Sequence, residues 1–229
     1  RGGPIAAPCP FPDDRRVGSG KRRAGLCGAP GSGLLAPMTP AAAARPDRRP
    51  ERSRKALVGA LVALILERGY ESLTAEDVAA RADVGRSTLY AHFGGLGGVL
   101  REALTAPSSG LAALVDGAAT PARLAPLLDH FKRQRRRNAA FFQGPVRTQW
   151  VRRLAELIEP KLEALARAQG RAPSPLGWGF VATQIAEAQI SLVINWLTTR
   201  PGASAEAVAA ALIATTRALV EGLLAVGAE

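Results

Sequence analysis

Beyond Cys27 the chain has no cysteine, and before it only Cys9. Residues 28–229 therefore hold neither a disulfide framework nor a Cys-rich zinc site. Histidine is equally scarce: His92 and His130 stand alone, without clustered acids, so no metal site is expected. No apolar stretch approaches the ~18 residues of a membrane span. The leading segment lacks the apolar core of a secretory signal, and the longest apolar run elsewhere is only Ala56 to Leu66. A cytoplasmic protein without a membrane partner is the expectation. Catalytic signatures are missing too: no phosphate-binding glycine loop, no serine elbow, no paired carboxylates in a helical constellation. The glycines at 94–98 have no preceding strand, as a nucleotide fingerprint would require. Neither an enzyme nor a cofactor is expected.

Charge is abundant, and it is uneven. The 229 residues carry a formal +11, yet residues 1–55 hold 12 Lys and Arg against four acids and so account for +8 of it. Hydrophobic residues make up 47%, enough for a core, while 24 Gly and 17 Pro beside only 5% aromatics suggest two unlike segments averaged together. Residues 1–44 are rich in Pro, Gly, Ala and Arg without periodicity and read as a disordered tail. Met38 is the only methionine. It is the expected natural start, with residues 1–37 lying upstream of the native product; a genuine disordered basic arm is the alternative.

From Arg52 onward the pattern is helical and nowhere alternates with period two, so the expected fold class is all-α. Leu57, Leu61, Leu64 and Ile65 recur at helical spacing up to Gly69, a stop signal. Thr74 and Asp77 have the spacing of a capping box opening a short helix from Ala75 to about Arg81. A tight turn over 82–85 leads to a second short helix from Arg86 to His92, ending at Phe93-Gly94. Two short helices joined in this way make a helix-turn-helix candidate. Val84, Leu89 and Phe93 can anchor the second helix, leaving Arg86, Ser87, Thr88, Tyr90 and His92 outward, side chains suited to base edges and phosphates. The basic residues Arg45, Arg48, Arg49, Arg52, Arg54 and Lys55 directly precede this unit and are candidate phosphate or minor-groove ligands.

The stretch from Arg68 to Phe93, RGYESLTAEDVAARADVGRSTLYAHF, resembles the DNA-binding domain of TetR-type transcriptional regulators, and the likeness extends over residues 52–105. The resemblance implies an N-terminal three-helix DNA-binding domain over 45–105 and a C-terminal helical domain for effector binding and dimerisation over 106–229. It implies that Thr74 caps the second helix against the DNA backbone, that Arg86, Ser87 and Thr88 read bases, that Tyr90 meets a phosphate, and that His92 lies near the backbone. It also implies repression of transcription. The chain departs from the family pattern in two places. Asp83-Val84-Gly85 replaces the usual Gly-Val-Ser, losing a hydroxyl cap. Leu96 and Gly97 replace a phosphate-binding lysine and the acid after it, leaving 94–98 loose in expectation and shifting weight onto the basic run.

In the remainder, Pro107 to Gly110 and Ala119 to Pro121 are expected to punctuate short elements. Helices are expected from about Ala122 through Phe131 into Arg137 and from Val146 to Gln169, the latter burying Trp150, Leu154, Leu157, Ile158 and Leu162. The last two helices are nearly free of charge: Glu187 alone between Leu176 and Thr199, Glu206 alone between Ala203 and Thr216. Helices apolar nearly all round must be buried on more than one face, which favours a two-fold homodimer seam with recognition helices in successive major grooves of a near-palindromic double-stranded DNA operator. An unidentified small-molecule effector would be lined by His130, Phe131, Phe141, Phe142, Trp150, Trp178, Gln184, Ser191 and Asn195. Gln184, Ser191 and Asn195 share one helix face, and satisfaction at the dimer seam is an equal reading of them. The run from Lys132 to Arg137 suits an anionic effector or, as such runs more commonly are, a solvated helix face. A helical protein-interaction module without a DNA role is the rival to a ligand-responsive regulator.

Overall fold

The computed structural model describes residues 49–133, 135, 139–171, 174–199 and 202–226. Cys9, Cys27, Met38, Arg45, Arg48, the tail assigned to 1–44 and the expected helix end at Arg137 lie outside these residues. Among the described residues the fold is all-helical: α1 (Arg49–Arg68), α2 (Ala75–Arg81), α3 (Arg86–Phe93), α4 (Leu96–Ala112), α5 (Pro121–Arg133), a short 3-10 helix (Ala139–Phe142), α6 (Gly144–Ala168), α7 (Trp178–Thr199) and α8 (Ala205–Ala225).

The apolar spacing of α1 buries Leu57, Ala60, Leu61, Leu64 and Ile65 along one face. Gly69 ends the helix at φ 77°, its N–H still bonded to the Ile65 carbonyl at 2.9 Å. The buried face of α1 packs on α2, α3 and α4, while α4 also packs on α6, α6 on α7, and α8 on both α5 and α7. The resulting core is continuous from Leu57 to Leu224. Each fully buried leucine contributes roughly 1.5–3 kcal/mol of transfer free energy, so the nine leucines with no exposed surface outweigh any surface contact.

Two expectations fail here. Pro107 to Gly110 does not separate elements; it lies inside α4. Proline lacks the N–H that would bond four residues back, but Leu104, Ser108, Leu111 and Ala112 are all buried and hold the helix through the missing bond. A boundary at 105 therefore falls within one helix. The second is the expectation that no apolar stretch approaches the length of a membrane span: α8, with 21 residues, does so, although Ala56 to Leu66 is the longest uninterrupted run. By length and composition α8 would reach across a membrane, with a mean hydropathy of 1.6 and a third of that window buried. Thr215, Thr216 and Arg217 interrupt its apolar run and conceal it from a search for continuous stretches.

Candidate nucleic-acid interface

The frame of the interface is the capping box of α2. Thr74 Oγ1 accepts from the Asp77 N–H at 3.2 Å, and Asp77 Oδ2 accepts in return from the Thr74 N–H at 2.9 Å and its hydroxyl at 2.6 Å. Arg68 from the end of α1 donates to the other carboxylate oxygen at 3.3 Å, while Arg81 pairs with Glu67 across the same helices. The Thr74 hydroxyl and then its N–H hold the Asp77 carboxyl below its ordinary range against an opposing effect of burial, and Arg68 adds a lesser lowering. A carboxylate whose folded pKa is depressed stabilises fully above its unfolded pKa and loses that contribution as pH falls through the folded value. Thr74→Ala is therefore expected to cost about 1 kcal/mol through the lost cap and to flatten the stability curve below about pH 4. Thermal melts over that range check it: an acid limb as steep as in the unsubstituted protein would exclude this role for the pair.

The turn after α2 places Asp83 at φ 52°, the one non-glycine at positive φ among the described residues; aspartate tolerates this region better than most residues. Gly85 then caps α3 without a side-chain hydrogen bond, as the missing hydroxyl foretold. Leu89 is fully buried and Val84 and Phe93 are partly so, which fixes the face of α3 that turns outward. Arg86, Ser87 and Tyr90 lie on that exposed face, with Thr88 and His92 half-buried along its flank. The Arg86 guanidinium sits 5.6 Å from the centre of the Tyr90 ring, so the two side chains present a joint cationic and hydroxyl surface. Ala91, one turn after Ser87, is also exposed there. Sequence reading passed over it, although its spacing gave the signal; a small methyl at such a place suits contact with a thymine methyl.

The α3–α4 corner is tight rather than loose. Gly94 closes α3 in the left-handed region at φ 69°, donating to the Tyr90 carbonyl at 2.8 Å. A Cβ on Gly98 would lie 1.9 Å from the Phe93 carbonyl oxygen. Gly98 lets the two helix backbones touch, which composition alone does not reveal.

The basic residues divide. Arg49, Arg52 and Lys55 are exposed at the start of α1, with Lys55 paired to Glu51 at 3.2 Å. Arg54 turns the other way, toward Glu102 of α4 at 3.4 Å, its guanidinium carbon 4.9 Å from the centre of the Phe93 ring.

The nine residues assigned to an effector separate as well. Phe131, Phe142 and Trp150 pack together, with ring centres 5.6–6.1 Å apart, and His130 and Phe141 are half-buried beside them. Burial, then the nearby Arg133, lowers the His130 pKa. Trp178 is half-buried at the start of α7; Gln184 and Asn195 are exposed and Ser191 half-exposed on the outer face. Two clefts of about 440 and 430 Å³ lie elsewhere and include none of the nine. The buried polar residue of α7 is Gln189, which donates to Thr216 Oγ1 at 3.0 Å and to the Leu111 carbonyl at 3.4 Å. It lies on the face opposite Gln184 and Asn195, and an otherwise apolar helix gives little sign of which polar residue turns inward.

A capped short helix, a tight turn and a second helix with a polar exposed face define a helix-turn-helix unit. Residues 57–103 match the family described as bacterial regulatory proteins of the tetR family. Among solved structures the chain is similar to a TetR transcriptional regulator from Streptococcus agalactiae 2603V, at 21% identity over 74% of this chain and 96% of that one, with a TM-score of 0.48. It is also similar to FadR of Thermus thermophilus, a TetR-family repressor solved in complex with lauroyl-CoA (23% identity, 74% and 94% covered, TM-score 0.45). A third is NalD of Pseudomonas aeruginosa, the secondary repressor of a multidrug efflux pump (20% identity, 74% and 96% covered, TM-score 0.44). No curated protein matches the chain.

Proposed function

We propose that the protein is a cytoplasmic, ligand-responsive repressor that binds a near-palindromic operator as a homodimer and acts by binding rather than by catalysis. The observation that carries this reading is the exposed face of α3, where Arg86, Ser87 and Tyr90 stand on a helix whose other side is anchored by the buried Leu89. In the proposed division, residues 1–44 are a tail, 45–105 the DNA-binding unit and 106–229 the sensor and dimer unit, with α4 shared between the last two. Thr74, Arg86, Ser87, Thr88, Tyr90 and His92 contact the operator, assisted by Arg45, Arg48, Arg49, Arg52 and Lys55 on phosphates.

Dimerisation through α7 and α8 is supported by their outer faces. Ala207, Ala211, Ala214, Ala218 and Gly222 form an exposed stripe of small residues on α8. On α7 the exposed Phe180 shares a face with Gln184 and Asn195. For the effector, the aromatic group of Phe131, Phe142 and Trp150 is the proposed point of entry. Trp150 Nε1 is buried there without a hydrogen-bond partner, a donor that a ligand acceptor would satisfy.

Footprinting on the region upstream of the protein's own gene tests the reading. Arg86→Ala is expected to lose about 1–3 kcal/mol of operator binding, and Tyr90→Phe about 1.5 kcal/mol through a lost hydrogen bond to a charged group. Both should leave the helical circular dichroism unchanged. Unaltered footprints in both variants would remove α3 from the interface.

A further inference from the structure

Arg54 lies in the basic run that composition assigns to phosphate, yet its surroundings give it another task. It stands in the second turn of α1 and meets two other elements at once: the Glu102 carboxylate on α4 at 3.4 Å and the Phe93 ring, the last residue of α3, 4.9 Å from its guanidinium carbon. Both members of the ion pair keep about two-fifths of their side-chain surface, 42% and 45%. Water therefore screens the pair, and neither member is locked by burial. What the arrangement adds is geometry, since one planar cation touches three helices at the corner where α3 ends. Nearby glycines supply no side chains there: Gly94, Gly95, Gly97 and Gly98 flank Leu96, and the backbones of α3 and α4 meet directly. On α4 the neighbouring residue, Arg101, reaches the opposite way to Glu156 of α6. Consecutive residues of one helix thus tie it to the DNA-binding unit on one side and to the C-terminal helices on the other.

We infer that Arg54 is a positioning residue for the recognition helix, oriented by Glu102 against the Phe93 ring, and not one of the phosphate ligands. The inference rests on the DNA-binding function, and its signature differs from that of a phosphate contact in sign as well as in size. A phosphate ligand supports all duplexes alike and adds about 0.9 to the dependence of log affinity on log salt. A residue that aims α3 supports only the sequence that α3 reads, and leaves the salt dependence alone. Glu102 gives the sharper contrast. Removing a negative charge near DNA strengthens binding on electrostatic grounds, whereas removing the group that orients Arg54 weakens it.

The test uses the full chain with a duplex that the protein selects from a randomised pool and a random-sequence duplex of equal length. Arg54→Gln and Glu102→Gln are each expected to weaken binding of the selected duplex about three- to tenfold. Neither should change binding of the random duplex or the salt slope. Their double variant should be no weaker than the worse single one, because the two act as a unit. Arg52→Gln is the comparison that lowers the salt slope on both duplexes. The inference is overturned if Arg54→Gln lowers the slope by about one, if Glu102→Gln tightens binding, or if both variants bind the selected duplex as the unsubstituted protein does. Failure of the unsubstituted protein to select any duplex would instead count against sequence-specific DNA binding itself. The pair would then still be read as a non-additive change in melting temperature.

Discussion

Gly98→Ala is expected to lower the melting temperature by about 6–12 °C and to abolish selective DNA binding. The methyl group would lie 1.9 Å from the Phe93 carbonyl oxygen and 2.8 Å from the carbon of the same carbonyl. A backbone carbonyl has no rotamer to yield, so α3 and α4 must part. Overpacking of this kind costs about 3 kcal/mol at the upper end of its usual range. The displaced element is α3, the proposed recognition helix, whose final residue carries that carbonyl. Gly97→Ala provides the contrast one residue away. No atom lies within 4 Å of a Cβ there, the backbone is helical, and alanine is favoured over glycine in a helix by about 0.5–1 kcal/mol. That variant should be slightly more stable and bind normally. Equal melting temperatures for the two alanine variants would mean that the α3–α4 contact is not as close as described.

A second large effect is expected at the outer face of α8. Ala211→Arg places a long cation in the middle of the small-residue stripe, where a partner helix would approach closely. Sedimentation should show a monomer, and operator affinity should fall by about 10²–10⁴-fold as the gain from linking two half-site contacts disappears. The side chain points away from the chain's own core, since Ala211 is exposed while Leu212 beside it is fully buried. The helical signal and the binding of a single half-site should therefore persist. Ala122→Arg, on an exposed position of α5, should leave assembly and affinity intact. A dimeric Ala211→Arg protein with normal operator affinity would exclude this face as the seam.

The contrast between what the sequence revealed and what it concealed follows from the range of the interactions involved. The box of Thr74 and Asp77 was legible because it is local: three residues apart, each side chain serves the other's backbone. The stop at Gly69 and the outward face of α3 were legible for the same reason, since spacing and helix geometry decide both. Pro107 was misread because its effect on a helix is local while the burial of Leu104, Ser108 and Leu111 that overrides it is tertiary. The glycines at 94–98 look like slack in the sequence for want of a partner in view; for Gly98 the partner is the Phe93 carbonyl, reached only when the corner is folded. Arg54 shared its composition with Arg52 and Lys55, and nothing in the run itself distinguished the cation that faces α4. On α7 the three polar residues on one face were visible as a stripe, but which face turned inward depended on the packing of α6 and α8, and Gln189 proved to be the buried one.

The continuity of α4 bears on how the molecule can be taken apart. Its buried residues run from Val99 and Leu100, against the helix-turn-helix, to Leu111 and Ala112, among the C-terminal helices. A hybrid regulator joined at residue 105 would set Leu104 against one parent's surface and Ser108 against the other's, within a single turn and a half of helix. Exchange of the reading head between such proteins would have to carry α4 whole with one half, or be made at the glycines before Leu96, where the joint must also accept Gly98 against its neighbour's backbone. The natural unit of exchange is thus larger than the helix-turn-helix, and its edge is set by a helix that packs on both halves of one core.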